Sequence, residues 1–148
     1  MQTILELNAD NIEEIQTLFK AIFTAPPWND DWSNDNQLNA YIKDLVGNRN
    51  SLAFGLFEDD KLIGLSMGSI RHWYSGTEYH IEEFCISTQI QGHGIGTYFL
   101  KSIEEKIKRK GITRVFLQTE RNVPAYKFYQ KNGFLELNDH VSFIKTLL

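Results

Sequence analysis

The sequence predicts an α/β (α+β) domain: a mixed, mostly antiparallel central sheet of roughly six to seven strands, with helices on both faces. Three observations predict it. Short alternating apolar runs such as "KLIGLSMGSIRHW" and "EYHIEEFCIS" recur along the chain. Stretches of helical periodicity separate them. The tight turn "EDDK" joins two runs into an antiparallel hairpin, whereas a later strand–helix–strand unit needs a right-handed crossover between parallel strands.

The elements follow in order. "TILELN" alternates and reads as a first strand. Asp10 opens a helix, with Glu13 completing a capping box, and Ile12, Ile15, Leu18, Phe19 and Ile22 make its apolar face. Pro26 and Pro27 stop it and begin the loop "TAPPWNDDWSND". Leu38, Tyr41, Ile42 and Leu45 mark a second helix that ends at Gly47. "SLAFGLF" and "KLIGLSMGSIRHW" form the hairpin, and "EYHIEEFCIS" is the next strand. Three glycines, Gly92, Gly94 and Gly96, precede a third helix whose buried stripe is Ile95, Phe99, Leu100, Ile103 and Ile107. Lys108, Arg109 and Lys110 complement its dipole, and Gly111 closes it. "TRVFLQT" is a strand, and "NVPAYKFYQKNG" is a short helix with Pro124 in its first turn. "FLELND" and "VSFIKTL" read as closing strands.

The chain of 148 residues suits one domain, 1–148. Hydrophobic residues make up 42% and the net charge is -4, so the chain is globular and mildly acidic. Without a basic block it is a poor binder of nucleic acid or of a membrane surface. The lone Cys85 forms no internal disulfide and suits a reducing, cytoplasmic setting. "MQTILELNADNIEE" turns acidic before any signal-like apolar run develops. The four histidines have no metal-ligand spacing, so no metal is expected.

The glycines carry the first functional signal. Glycine before a helix start lets backbone approach a ligand, and the helix start favours an anion. The dinucleotide fingerprint G-x-G-x-x-G fails, because its last position is Thr97 counted from Gly92 and Phe99 counted from Gly94. The failed fingerprint disfavours a nicotinamide-dependent oxidoreductase, and the Gly-Lys-Ser/Thr of a P-loop is missing too. A plain packing turn remains open on the glycines alone.

"Q-G-H-G-I-G" resembles the Q/R-x-x-G-x-G/A signature of the GNAT family of N-acetyltransferases, with Gln91, Gly94 and Gly96 on its fixed positions. "N-V-P-A-Y-K-F-Y-Q-K-N-G-F" is similar to the same family's N-x-x-A-x-x-[LF]-Y-x-x-x-G-F, matched at Asn122, Ala125, Phe128, Tyr129, Gly133 and Phe134. The resemblance implies the GNAT fold and acetyl-CoA as co-substrate, its pyrophosphate held by Gln91, Gly92, His93, Gly94, Ile95, Gly96 and Thr97, with Asn122 and Tyr129 also on the cofactor side. His93 departs from the Arg or Lys often found there, and Lys101 or Arg121 are candidates to compensate. The resemblance also implies that the pantetheine arm lies along Phe84, Cys85 and Ile86.

Acetyl transfer needs a polarised thioester, a neutral amine and a proton for the leaving thiolate. The resemblance makes Tyr129 the general acid and leaves Tyr126 at the rim. Glu82 is the candidate base or amine anchor. Strict alternation sends Glu83 to the other face of the strand, and it also sends His80 to the face opposite Cys85. Cys85 reads as a buried small residue. Trp28, Asp31 and Trp32 in the loop, with His72 and Trp73, suit a cationic amine, although inward-packed tryptophans explain the loop equally well. The Pro-Trp-Asn loop resembles the aminoglycoside-acetyltransferase-like branch. The expected acceptor is a small-molecule amine, with a homodimer left open. The alternatives are a protein or peptide acceptor and a non-catalytic acyl-CoA-binding module.

Overall fold

The computed structural model describes residues 1–148, which form two compact units, 1–118 and 119–148. The first contains β1 (Gln2–Leu7), α1 (Ile12–Phe23), α2 (Asp35–Val46), β2 (Ser51–Glu58), β3 (Lys61–Trp73), β4 (Gly76–Ile86), α3 (Ile95–Arg109) and β5 (Ile112–Leu117). The second contains α4 (Pro124–Lys131).

One five-stranded sheet runs in the order β1-β2-β3-β4-β5. Its first three pairings are antiparallel, and β4 pairs parallel with β5 across the α3 crossover. The class expected from sequence is therefore present, but the sheet has five strands rather than the expected six to seven. The two closing segments, "FLELND" and "VSFIKTL", carry no strand. Alternation specifies which side chains share a face, whereas a strand also needs a backbone ladder. In this stretch the chain makes a turn instead, with the His140 amide donating to the Leu137 carbonyl at 3.1 Å.

Each face of the sheet has its own core. α1 and α2 cover one face, where Ile15, Phe19, Ile42 and Leu45 pack on Leu65, Met67 and Cys85. α3 covers the other, where Phe99, Ile103 and Ile107 pack on Phe54, Tyr79, Ile81 and Ile86. The start of α1 differs in detail from the expected capping box. A short 3₁₀ turn, Ala9–Asn11, comes first, and the Asn8 side chain accepts the Asp10 amide at 2.8 Å. Asn11 in turn accepts the Asn8 amide at 3.0 Å.

β4 is irregular where function was expected. Its register on β3 pairs Met67 with Glu83 and then Gly68 with Ile81, which leaves Glu82 as the extra residue of a β-bulge. Gly68 is what permits this. A Cβ at Gly68 would lie 1.9 Å from the His80 carbonyl oxygen, so any side chain there would push β3 and β4 apart.

Candidate active site

The bulge changes which side chains share a face. Before it, Tyr79 and Ile81 point to α3, so Glu78 and His80 point the other way. After it, Phe84 and Ile86 point to α3, while Cys85 packs with α1 and α2. Glu83 lies on that second face too, because Tyr41 of α2 donates a hydrogen bond to its Oε2 at 2.8 Å. The expectation that Glu82 and Glu83 face opposite ways is therefore corrected: the alternation breaks at that pair. His80 and Cys85 likewise fall on one face. They do not form a base–nucleophile pair, since β3 partners Ser69 and Leu65 put them roughly 13 Å apart along the strand.

The two carboxylates differ sharply. Glu82 is exposed at the bulge and Glu83 is half-buried. Burial pushes the Glu83 carboxyl up to about 7, the Tyr41 bond works against that rise, and Asp30 and Glu82 nearby add to it. Burial, followed by the Glu83 charge, also pushes the Tyr41 phenol far above its usual range. Cys85 is buried and its thiol is held well above the thiol range by burial and by Glu83. A thiol kept protonated is a packing group, not a nucleophile.

The loop between α1 and α2 lies on this face. Trp28 packs on Phe23 with ring centroids 5.7 Å apart, and Trp32 packs edge-on against Phe19 at 5.5 Å. Trp32 also stacks on Tyr41 at 5.5 Å with only 14° between the planes. Both tryptophans are thus partly buried in the α1/α2 core. Asp31 is exposed and accepts the Ser33 amide at 3.0 Å; the Ser33 hydroxyl first, and that amide second, hold its carboxyl below the usual range. His72 is not near these groups. It is exposed and lies five positions along β3 from Met67, the partner of Glu83, so roughly 17 Å separates them along the strand.

Past the bulge, β4 loses one neighbour. The ladder with β5 ends at Ile81–Leu117, whereas the ladder with β3 continues to Ile86. One edge of Phe84, Cys85 and Ile86 therefore leaves the β5 ladder, as a splayed strand does. Phe84 seats its ring on Phe99 of α3 at 5.4 Å. The Gln91 side-chain amide donates to the Ile86 carbonyl at 2.9 Å and folds the turn back onto the strand end.

In that turn Gly92 and Gly94 have φ of +93° and +73°, the left-handed region that explains glycine at both. No protein atom lies within 4 Å of where a Cβ would sit on either. Gly94 caps α3 without a side-chain bond, and the first turn holds no acidic residue. The first amides of α3, at Ile95, Gly96 and Thr97, have no carbonyl one turn back to bond. This arrangement fits a diphosphate: backbone donors, a positive helix end and open space above the glycines. His93 is exposed in the same turn, and Lys101 is exposed on α3.

In the second unit, Tyr129 is buried on α4 between Phe128 and Phe134, each 5.3 Å away by ring centroid. Asn122 lies in the turn before α4. Tyr126 donates to Glu136, and Arg121 grips the same carboxylate at 2.7 and 3.2 Å. Arg121 is thereby engaged within its own unit.

Sequence reasoning weighed Glu83 behind Glu82 and did not pair it with Tyr41. Tyr41 fits an apolar helical stripe, yet a partly buried tyrosine needs a partner for its hydroxyl. The bulge also left a trace, since the apolar positions of β4 switch parity from Tyr79 and Ile81 to Phe84 and Ile86.

The sequence profile of the acetyltransferase (GNAT) family matches residues 12–134, and the chain belongs to that family. A curated relative, the uncharacterized protein YdhI of Bacillus subtilis (strain 168), is 31% identical over 93 residues, and the match spans 57% of each protein. Among solved structures, the aminoglycoside acetyltransferase meta-AAC0020 from an uncultured soil metagenomic sample, in complex with sisomicin, superposes with a TM-score of 0.77 at 21% identity, covering 99% of this chain and 97% of that one. AAC(6')-Iy bound to a CoA bisubstrate analogue also gives 0.77, at 19% identity over 100% of this chain and 99% of its own. The ribosomal-protein-alanine N-acetyltransferase of Brucella melitensis biovar Abortus 2308 gives 0.76 at 15%, covering 99% and 100%. The shared fold thus carries both small-molecule and protein acceptors. No helix of the chain is long and apolar enough to cross a membrane.

Proposed function

We propose that the protein moves the acetyl group of acetyl-CoA directly to a primary amine of a small molecule. The observation that carries this reading is the layout of β4: two carboxylates on one face at the bulge, a strand edge leaving its β5 partner, and then a glycine turn into an uncapped helix. The GNAT membership supports it, as does the bound CoA analogue of AAC(6')-Iy, a protein of the same fold.

Acetyl-CoA supplies an activated thioester. The glycine turn and the first amides of α3 bind its diphosphate, and the strand edge at Ile86 offers a backbone donor to the arm or the acetyl oxygen. Glu82, exposed, attracts and anchors the ammonium form of the acceptor. Glu83, with its carboxyl near 7, takes the proton that frees the nitrogen lone pair. The new C–N bond forms as the C–S bond breaks; in the role the family resemblance gives it, Tyr129 protonates the leaving thiolate, and the second proton, shed by the acylated nitrogen, passes through water and restores the phenol. The acidic, aromatic loop with Trp28, Asp31 and Trp32 borders the acceptor.

The test is thiol release from acetyl-CoA over a panel of polyamines, aminoglycosides, amino acids and basic peptides. Turnover with a small amine and little with peptides is the expected result. Preferential use of peptides transfers the reading to a protein acceptor, and tight cofactor binding without turnover leaves an acyl-CoA-binding module. With the best amine, Tyr129→Phe lowers kcat by roughly 10² to 10⁴ with cofactor affinity retained. An unchanged kcat removes Tyr129 from the chemistry.

A further inference from the structure

We infer that Tyr41 is a positioning residue for Glu83, holding one oxygen of that carboxylate so that the other meets the acceptor amine. The inference rests on the reading of Glu83 as the amine-side base. The hydroxyl of Tyr41 donates to Glu83 Oε2 at 2.8 Å across the gap between α2 and β4. Its ring is held on two sides, stacked on Trp32 at 5.5 Å and edge-on to Phe19 at 5.9 Å. A tyrosine has few soft torsions, so two ring contacts set where its hydroxyl lies. The bulge supplies the other half of the geometry, turning Glu83 toward α2 instead of α3.

A plain structural bond and a positioning bond differ in what they change. Tyr41 donates to the ionised carboxylate and so favours the form that accepts a proton. The groups that face Glu83 are otherwise acidic or neutral: Asp30 from the loop, Glu82 and the protonated Cys85 on β4, and Met67 across on β3. Asp44 on α2 acts on Tyr41 itself. With the hydroxyl removed, nothing named here offsets that acidic surround, so Glu83 ionises later. The stack on Trp32 also ties the carboxylate to the loop that borders the acceptor.

Tyr41→Phe keeps the ring and its packing. The acid limb of kcat/KM shifts up by about half to one pH unit, kcat/KM at pH 7 falls roughly 2- to 5-fold and recovers at higher pH, and acetyl-CoA affinity is unchanged. Site-specific 3-fluorotyrosine at position 41, a stronger donor with the same packing, moves the limb the other way. Carboxyl carbon-13 titration of the free protein reads Glu83 without turnover, its resonance identified by loss in Glu83→Gln, and gives the same two shifts. An unmoved Glu83 titration in both variants overturns the inference. If Glu83→Gln retains full turnover, the base reading fails instead, and the titration still decides whether Tyr41 holds the carboxylate.

Discussion

The glycine turn after β4 and the acidic bulge within it meet charge with different materials. In the turn the chain offers backbone. Gly92 and Gly94 take positive φ, no protein atom crowds the space a Cβ would fill, and no side chain caps α3. At the bulge the chain offers side chains, and those are crowded. Glu83 is half-buried under Tyr41 and flanked by Asp30 and Glu82. An anion on a co-substrate met in every turnover can be bound by peptide amides that never change protonation. A proton acceptor must change protonation, so it needs an environment that tunes it. The contrast teaches where substitutions act: in the turn through shape, and at the bulge through charge.

The sharpest way to break the contrast is at the bulge. Glu83→Gln removes the proposed proton acceptor while keeping size, and kcat/KM for the amine falls by roughly 10² to 10⁴ with acetyl-CoA affinity unchanged by calorimetry. Next in size comes the turn. Gly94→Asn tolerates the left-handed backbone and places a side chain in open space, so the fold survives. Loss of one or two backbone contacts to phosphate weakens acetyl-CoA binding roughly 10- to 100-fold, measured by calorimetry, and unchanged affinity removes the phosphate from this turn. Smallest in its effect on the two binding steps is the glycine behind the bulge. Gly68→Ala forces its Cβ against the His80 carbonyl and costs about 1–3 kcal/mol, or several degrees of melting temperature. Amine turnover falls with it, because Glu82 and Glu83 are re-aimed, whereas cofactor affinity holds. A change in cofactor affinity alone would show that the two regions are not separable.

These regions were unequally legible in the sequence. The turn could be read because glycine spacing is local: Gln91, Gly94 and Gly96 lie within six residues, and the positive φ at Gly92 and Gly94 favours glycine at both. The helices and the five strands from β1 to β5 could be read from periodicity for the same reason. The bulge could not be read from alternation, because alternation is the rule that a bulge suspends. Its trace was a parity switch in β4 and a glycine on the strand opposite. Tyr41 was hidden differently. Its partner lies 42 residues away, and such a hydrogen bond exists only after α2 has packed on β4. The closing segments were over-read, since "VSFIKTL" alternates like a strand but alternation does not supply a ladder.

The most direct test of the account is the pH dependence of kcat/KM for the wild-type protein and Glu83→Gln, each with two amines of different basicity. Glu83 must be ionised to accept a proton, so activity rises as pH climbs through the carboxyl's value of about 7. The account predicts a wild-type limb near that value shared by both amines. In Glu83→Gln that limb is absent, and only the limb that follows each amine's own basicity remains. A wild-type profile that tracks the amine alone and is unchanged in Glu83→Gln would contradict it.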